Sequence, residues 1–147
     1  SRPADEEDTM ASTLNPYLNF RDATREAMTF YQEVFGGELT LSTYEDFGMS
    51  DDPAEKDKIM HAQLTTPAGF VLMCADVPSA RPLAEGGSIS ISLSGDDAEA
   101  LRGYWDALSA SGTVGEPLME APWGDSFGEC TDRFGIMWLV NIAGTAA

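Results

Sequence analysis

Ser88-Ile89-Ser90-Ile91-Ser92-Leu93-Ser94 alternates strictly between isoleucine or leucine and serine. A period of two puts the apolar side chains on one face of a strand and the hydroxyls on the other. Asp96-Asp97-Ala98-Glu99 follows at once and has the form of a capping box, with Asp96 as cap and Glu99 reaching back. Leu101, Tyr104, Trp105 and Leu108 then recur at helical spacing, and Gly112 closes the helix. Three more strands are expected downstream, over Gly115–Glu120, Ser126–Thr131 and Met137–Ile142.

The same order of elements occurs earlier in the chain. Leu14-Asn15-Pro16-Tyr17-Leu18-Asn19-Phe20 reads as a strand. Asp22 stands where a helix cap is needed, and Ala23, Ala27, Phe30, Tyr31, Val34 and Phe35 follow at helical spacing. Gly36-Gly37 stops that helix, because glycine enters the left-handed region without steric cost. Strands are expected over Glu38–Tyr44, Lys58–Thr65 and Phe70–Ala75, with an acidic exposed loop over Glu45–Asp57 and a tight turn at Pro67-Ala68-Gly69. Strand, helix and three strands thus occur twice. The division expected is an acidic disordered tail over residues 1–12, a first module over 13–77, a linker over 78–87 and a second module over 88–147. Each module has one helix to cover one sheet face, so the sheets are expected to curl around a cleft.

Composition narrows the functions this fold could serve. The chain of 147 residues carries 25 acidic and 8 basic side chains, a formal net charge of −17. Phosphate backbones and anionic membranes are bound by basic patches, so neither nucleic acid nor a membrane surface is an expected partner. No apolar run approaches the ~20 residues of a membrane helix. Residues 1–8 are acidic and have no apolar segment, which is not the pattern of a secretory signal. Cys74 and Cys130 are far apart and form no metal-binding or redox spacing, so two reduced thiols in a cytoplasmic protein are expected.

Five stretches, taken in order, resemble one family. They are Leu14-Asn15-Pro16-Tyr17-Leu18, Phe30-Tyr31-Gln32-Glu33-Val34-Phe35-Gly36-Gly37, Asp57-Lys58-Ile59-Met60-His61-Ala62, Trp123-Gly124-Asp125-Ser126-Phe127-Gly128, and Asp132-Arg133-Phe134-Gly135 followed by Trp138. Together they resemble the vicinal oxygen chelate superfamily of glyoxalases, bleomycin-resistance proteins and dioxygenases. Within it they are similar to the PhnB-like branch, often labelled 3-demethylubiquinone-9 3-methyltransferase-like. The resemblance implies an α+β fold of two βαβββ modules whose curved mixed sheets surround a cleft. It also implies a homodimer and a small-molecule ligand. The superfamily usually chelates a divalent metal with His and Glu from the first and last strands of each module. Here those strands offer Asn15, Tyr17 and Asn19; Leu72, Met73 and Cys74; serines, with Ser90 at the expected histidine position; and Met137, Trp138 and Leu139. No metal ligand and no cofactor is therefore expected. The Gly-rich loop that would cradle a methyl-donor nucleotide is also absent.

Imidazole moves protons near neutrality, which makes His61, the one histidine, the candidate catalytic base. Asn15, Tyr17, His61, Cys74, Ser90, Trp123, Phe127 and Trp138 are the candidate ligand-binding residues. Each has a structural alternative: His61 satisfied by neighbours, Cys74 an inert buried thiol, Trp123 a core or dimer contact, and Trp138 a core residue. Three functions remain open. The chain could bind a small molecule without catalysis, act as a lyase, dioxygenase or other small-molecule enzyme through His61, or serve as a structural dimeric module.

Overall fold

The computed structural model describes residues 12–49, 51–84, 86 and 88–144. The tail expected over residues 1–12 falls, but for Ser12, outside them, as do Glu85 and Gly87 of the expected linker and the last three residues of the second module. In chain order the elements are β1 (Tyr17–Phe20), α1 (Thr24–Phe35), β2 (Glu38–Thr43), a 3-10 turn (Glu45–Phe47), β3 (Ile59–Thr65) and β4 (Val71–Asp76). β5 (Ile91–Gly95), α2 (Ala98–Ala110), β6 (Thr113–Glu120), β7 (Ser126–Thr131) and β8 (Met137–Ile142) follow. They form two four-stranded sheets, ordered β1-β4-β3-β2 and β5-β8-β7-β6. In each sheet the first strand lies parallel to the last and the remaining pairs are antiparallel. This is the α+β fold of two βαβββ modules that the sequence implied.

The repeat is visible in atomic detail. A Cβ on Gly37 would stand 2.2 Å from the Thr65 carbonyl oxygen, and one on Gly112 would stand 2.1 Å from that of Thr131. Both glycines let the chain leaving a helix cross against the end of the third strand of its module. At Gly37 the backbone is also left-handed, with φ of 102°, while Gly112 is not among the positive-φ residues. Glycine at 112 is therefore needed for space and not for its φ. The turns after β3 and β7 match as well. Thr66 N–H donates to the Phe70 carbonyl at 3.0 Å, and Asp132 N–H donates to the Ile136 carbonyl at 2.9 Å.

Both helix starts differ from the sequence expectation. Asp22 does not cap α1, since the N-cap residue is Ala23 and makes no side-chain cap bond. The Asp22 carboxylate instead holds the Lys58 ammonium at 2.9 Å. The Thr24 N–H donates to Asp76 Oδ1 at 3.0 Å, so a carboxylate at the end of β4 satisfies an orphan donor of the first turn. In α2 the cap is Asp97, which accepts from the Ala100 N–H at 3.1 Å. That shift of one residue puts Glu99 out of register for the expected box with Asp96. Two strands are shorter than expected. Leu14 is fully exposed and precedes β1, and Ser88, Ile89 and Ser90 are exposed and precede β5. β6 starts earlier, at Thr113.

One apolar core joins the modules. Leu18 and Phe20, Ala62 and Leu64, Leu72 and Cys74, Leu93, and Trp138, Val140 and Ile142 are buried in it. α1 contributes Ala27, Met28, Phe30, Tyr31 and Phe35, and α2 contributes Leu101, Trp105 and Leu108. Rings cross the module boundary: Phe35 lies 5.6 Å from Trp138 and 4.9 Å from Tyr104, and Tyr31 lies 5.8 Å from Trp138. Burying each such ring contributes roughly 1.5–3 kcal/mol. Asp132 fixes the junction. It accepts the Tyr31 hydroxyl at 2.6 Å, the Trp138 Nε1–H at 2.9 Å, and the backbone N–H groups of Phe134 and Ile136 at 2.8 and 3.1 Å. Arg133, next in sequence, lies over the Phe30 and Phe134 rings and pairs with Glu26 at 3.8 Å.

Candidate functional site

Strand alternation leaves each sheet a second face, directed away from the core. On the first sheet, register aligns Tyr17, Met73, Gln63 and Thr40 in one row of that face. Asn19 pairs with Ala75, and His61 with Ser42, in the next. On the second sheet the rows are Ser92, Leu139, Glu129 and Glu116, then Ser94, Asn141, Phe127 and Met119.

A cavity of about 570 Å³ opens on the first of these faces. That volume falls in the range of small-molecule sites. Tyr17 and Asn19 reach it from β1, Met60 from β3 and Ala75 from β4. Tyr44 and Met49 come from the loop after β2, and Arg81, Pro82 and Leu83 from the segment after β4. The Tyr44 hydroxyl donates to the Asp76 carbonyl at 2.8 Å. The Tyr17 hydroxyl and His61 Nδ1 share a hydrogen bond of 3.2 Å, their rings 5.8 Å apart. Burial raises both phenols above their ordinary pKa, with the Cys74 thiol adding for Tyr17 and the Asp76 carboxylate for Tyr44. Both tyrosines are therefore neutral hydroxyls at physiological pH.

The segment expected to be a plain linker is a wall of this cavity. Arg21 donates from Nη1 to the carbonyls of Val77 and Pro78, at 3.3 and 2.7 Å, and from Nη2 to that of Arg81 at 2.9 Å. The Ser79 N–H donates to Glu55 Oε1 at 2.8 Å, and its hydroxyl donates to the same oxygen. Lys58 pairs with the other Glu55 oxygen. Hydrogen bonds from Lys58 and Ser79 lower the Glu55 pKa to about 2.

The candidate residues divide between several places. Tyr17 lines the cavity, and His61 stands behind it as the partner of the Tyr17 hydroxyl. Asn15 lies in a separate groove of about 330 Å³ between the modules and donates to the Thr13 hydroxyl at 3.2 Å. Cys74 and Trp138 turn inward and are buried, and neither lines the cavity, though Trp138 also borders the groove that holds Asn15. Cys74 lies against the Thr24 hydroxyl at 3.4 Å, and burial pushes its thiol up to about 12. Trp138 spends its one N–H on Asp132. Ser90, Trp123 and Phe127 belong to the second module and do not line the cavity: Ser90 is exposed, Trp123 is 72% exposed on the turn between β6 and β7, and Phe127 is half-buried on β7. Tyr44, Met49, Met60 and Arg81 were not singled out from sequence. Tyr44 and Met49 sit in what reads as a polar loop and Arg81 in what reads as a spacer, and long-range bonds to Lys58, Asp76, Arg21 and Glu55 give those stretches their place.

The likeness to known proteins agrees with this geometry. Residues 13–140 match the family model of the Glyoxalase/Bleomycin resistance protein/Dioxygenase superfamily. The chain belongs to that superfamily. Protein YjdN of Escherichia coli is 28% identical over 140 residues, covering 88% of this chain and 94% of its own. The uncharacterised protein Rv0887c of Mycobacterium tuberculosis is 31% identical over 145 residues, covering 91% and 78%. Among solved structures, protein PA1353 of Pseudomonas aeruginosa superposes with a TM-score of 0.77 at 40% identity, covering 90% of this chain and 98% of that one. A PhnB protein from Bacillus cereus shares the fold, with a TM-score of 0.68 at 23% identity, covering 90% and 100%.

The superfamily's usual metal can be tested against the donors present. The open-face positions of the first and last strands are Tyr17 and Asn19, Met73 and Ala75, Ser92 and Ser94, and Leu139 and Asn141. They include no imidazole and no carboxylate, so they do not make the His and Glu donor set of that centre. Among the described residues no three His, Cys, Asp or Glu side chains gather. No helix among them is long and apolar enough to cross a membrane.

Proposed function

We propose that this member of the superfamily binds an organic small molecule in the cavity on the open face of its first sheet, and does so without a bound metal. The observation that carries the reading is the lining itself. Two fixed phenol rings, two methionines and one amide surround a site-sized volume, which is the mixture of apolar wall and few placed polar groups that small-molecule sites show. Methionine adapts its shape to a ligand, and the phenol rings offer flat apolar surface with a hydroxyl at the rim. The second module has a comparable open face with Met119 and Phe127 side by side. A homodimer in which that face closes the cavity of a partner chain fits both the exposure of Met119, at 64%, and the lack of second-module residues around the cavity. A cytoplasmic location accords with two unpaired thiols.

Thermal unfolding in the presence of a library of aromatic compounds tests this, with [¹³C-methyl]methionine spectra to locate binding. The reading requires ligands that raise the melting temperature and shift the methyl signals of Met49 and Met60. It is abandoned if stabilising compounds leave those two methyls unmoved. It also requires that added Zn²⁺, Mn²⁺ or Ni²⁺ leave the melting temperature unchanged.

The Tyr17–His61 hydrogen bond supports a second reading, an acid–base enzyme. With its proton on Nε2, the imidazole accepts from Tyr17 and could return that proton to a substrate beside the phenol. Turnover of a bound compound that survives His61→Gln with folding intact would remove this reading.

A further inference from the structure

We infer that the cavity is selective for organic acids, with Arg81 as the group that receives the oxyanion and Tyr17, Tyr44, Met49 and Met60 as the surface that receives the apolar body. The inference rests on the cavity reading above and names the ligand class.

Its basis is the distribution of charge around the cavity. Among the described residues two charged ones line it, Asp76 and Arg81. The Asp76 carboxylate is buried and consumed. Oδ1 accepts the Thr24 N–H and Oδ2 accepts the Ile59 N–H, each at 3.0 Å. Its backbone carbonyl accepts the hydroxyl of Tyr44, another residue of the lining. The Arg81 guanidinium is exposed and forms no ion pair with any described acid. Lys56, Lys58 and Arg133 all have carboxylate partners, and Arg21 is occupied by three carbonyls. Arg25 and Arg102 form no ion pair with a described acid either, but Arg81 is the basic residue, among those described, that lines this cavity.

The arginine is also held in place. Its N–H closes a turn onto the Pro78 carbonyl at 2.9 Å, its carbonyl accepts from Arg21, and Pro82 fixes the backbone beyond it. Ser79, within the same turn, is tied to Glu55. A guanidinium on a fixed backbone loses less freedom on binding than one on a loose tether. Its planar fork matches the two oxygens of a carboxylate. Its charge already reaches the cavity wall, for it lowers the pKa of the Tyr44 phenol against the larger upward effect of burial and Asp76. The distant acidic surface disfavours anions in general, so discrimination comes from this one local contact.

Isothermal titration calorimetry with three probes of one shape tests the inference: 4-phenylbutyrate, the neutral 4-phenylbutanamide and the cationic 4-phenylbutylamine. Wild-type protein should bind the acid at least tenfold more tightly than the amide, and the amine most weakly. Arg81→Gln should erase the difference between acid and amide, while Arg102→Gln, on the exposed side of α2, should keep it. Circular dichroism establishes that both variants fold. If acid and amide bind equally, the choice of ligand class is wrong; if the preference survives in Arg81→Gln, Arg81 is not the group that receives the oxyanion; either result overturns the inference and leaves the cavity reading standing. If none of the three binds at millimolar concentration or shifts the Met49 and Met60 methyls, both fall.

Discussion

Asp132 joins two rings at the module junction, and although its stretch is marked in the sequence, this role is not. The stretch Asp132-Arg133-Phe134-Gly135 reads as a turn, and a turn it is. The second role, accepting the hydroxyl of Tyr31 and the indole of Trp138, comes from residues that only the fold brings near. Asp132→Asn would keep an oxygen for the two backbone donors but set an NH₂ group against two other donors. Leaving buried donors unmade should cost about 3 kcal/mol, measured by urea unfolding. Tyr31→Phe removes one donor along with its bond and should cost about 1 kcal/mol in the same assay. Cys74 is the opposite case, legible from its apolar neighbours as an inert thiol. Its folded pKa of about 12, with about 11 for Cys130, predicts no reaction of either with a thiol reagent at pH 8 until the protein is unfolded. Glu55 carries the acid sensitivity of the cavity wall. Its folded pKa is depressed to about 2 from 4.5, so its tie to Ser79 is fully present above pH 4.5 and is lost as the pH falls toward 2. Affinity for the neutral 4-phenylbutanamide, measured from pH 5 to 2, should fall at the acid end in wild type, and Glu55→Gln should be weak and flat across the range.

At the level of elements, the order of strands and helices is legible because it rests on local periodicity, and periodicity survives any tertiary context. Ile91, Ser92, Leu93 and Ser94 alternate in the structure as they do in sequence. The caps were misplaced because Asp22, Asp96 and Asp97 are equivalent to a local reading. At the first helix the outcome depends on where Lys58 and Asp76 lie, and they are distant in sequence; at the second it is a shift of one residue, to Asp97. The stops at Gly37 and Gly112 both read as left-handed; Gly37 is, Gly112 is not, and at both a carbonyl oxygen occupies the space a side chain would take. Gly37→Ala and Gly112→Ala should each destabilise by more than about 2 kcal/mol, because the clash is with backbone that cannot turn aside. Gly103→Ala, in α2 with open space around it, should stabilise by up to about 1 kcal/mol. Chemical unfolding of the three variants side by side checks both signs.

For the whole molecule, the duplicated architecture and the family were readable in sequence, and the cavity was read only in part. Tyr17 lay on a face that alternation already assigned. Arg81 and Tyr44 belong to stretches whose composition suggests loops, and their positions follow from Arg21, Glu55 and Asp76. Sedimentation equilibrium should give twice the chain mass. Met119→Lys, with a charge placed on the open face of the second sheet, should weaken that association and lower ligand affinity together. A monomer that binds ligand undiminished would show that the cavity needs no second chain.

The two modules are not equal copies, and the difference is confined. Glu38 and Thr113 are 75 residues apart, but Ile59 and Ser126 only 67, so the first module has gained length between its second and third strands alone. That added stretch holds Tyr44, Met49 and Glu55, and the wall holding Arg81 follows β4, beyond the repeat unit. Neither touches the glycine crossings or the aromatic junction on which folding depends. The loop and turn that supply Tyr44, Met49 and Arg81 to the proposed cavity are thus encoded apart from the junction, while Tyr17, Asn19 and Met60 come from strands of the frame. Selection, or a designer, can rewrite the loop over residues 44–58 and the turn over 78–83 to change the guest while the frame stays as it is.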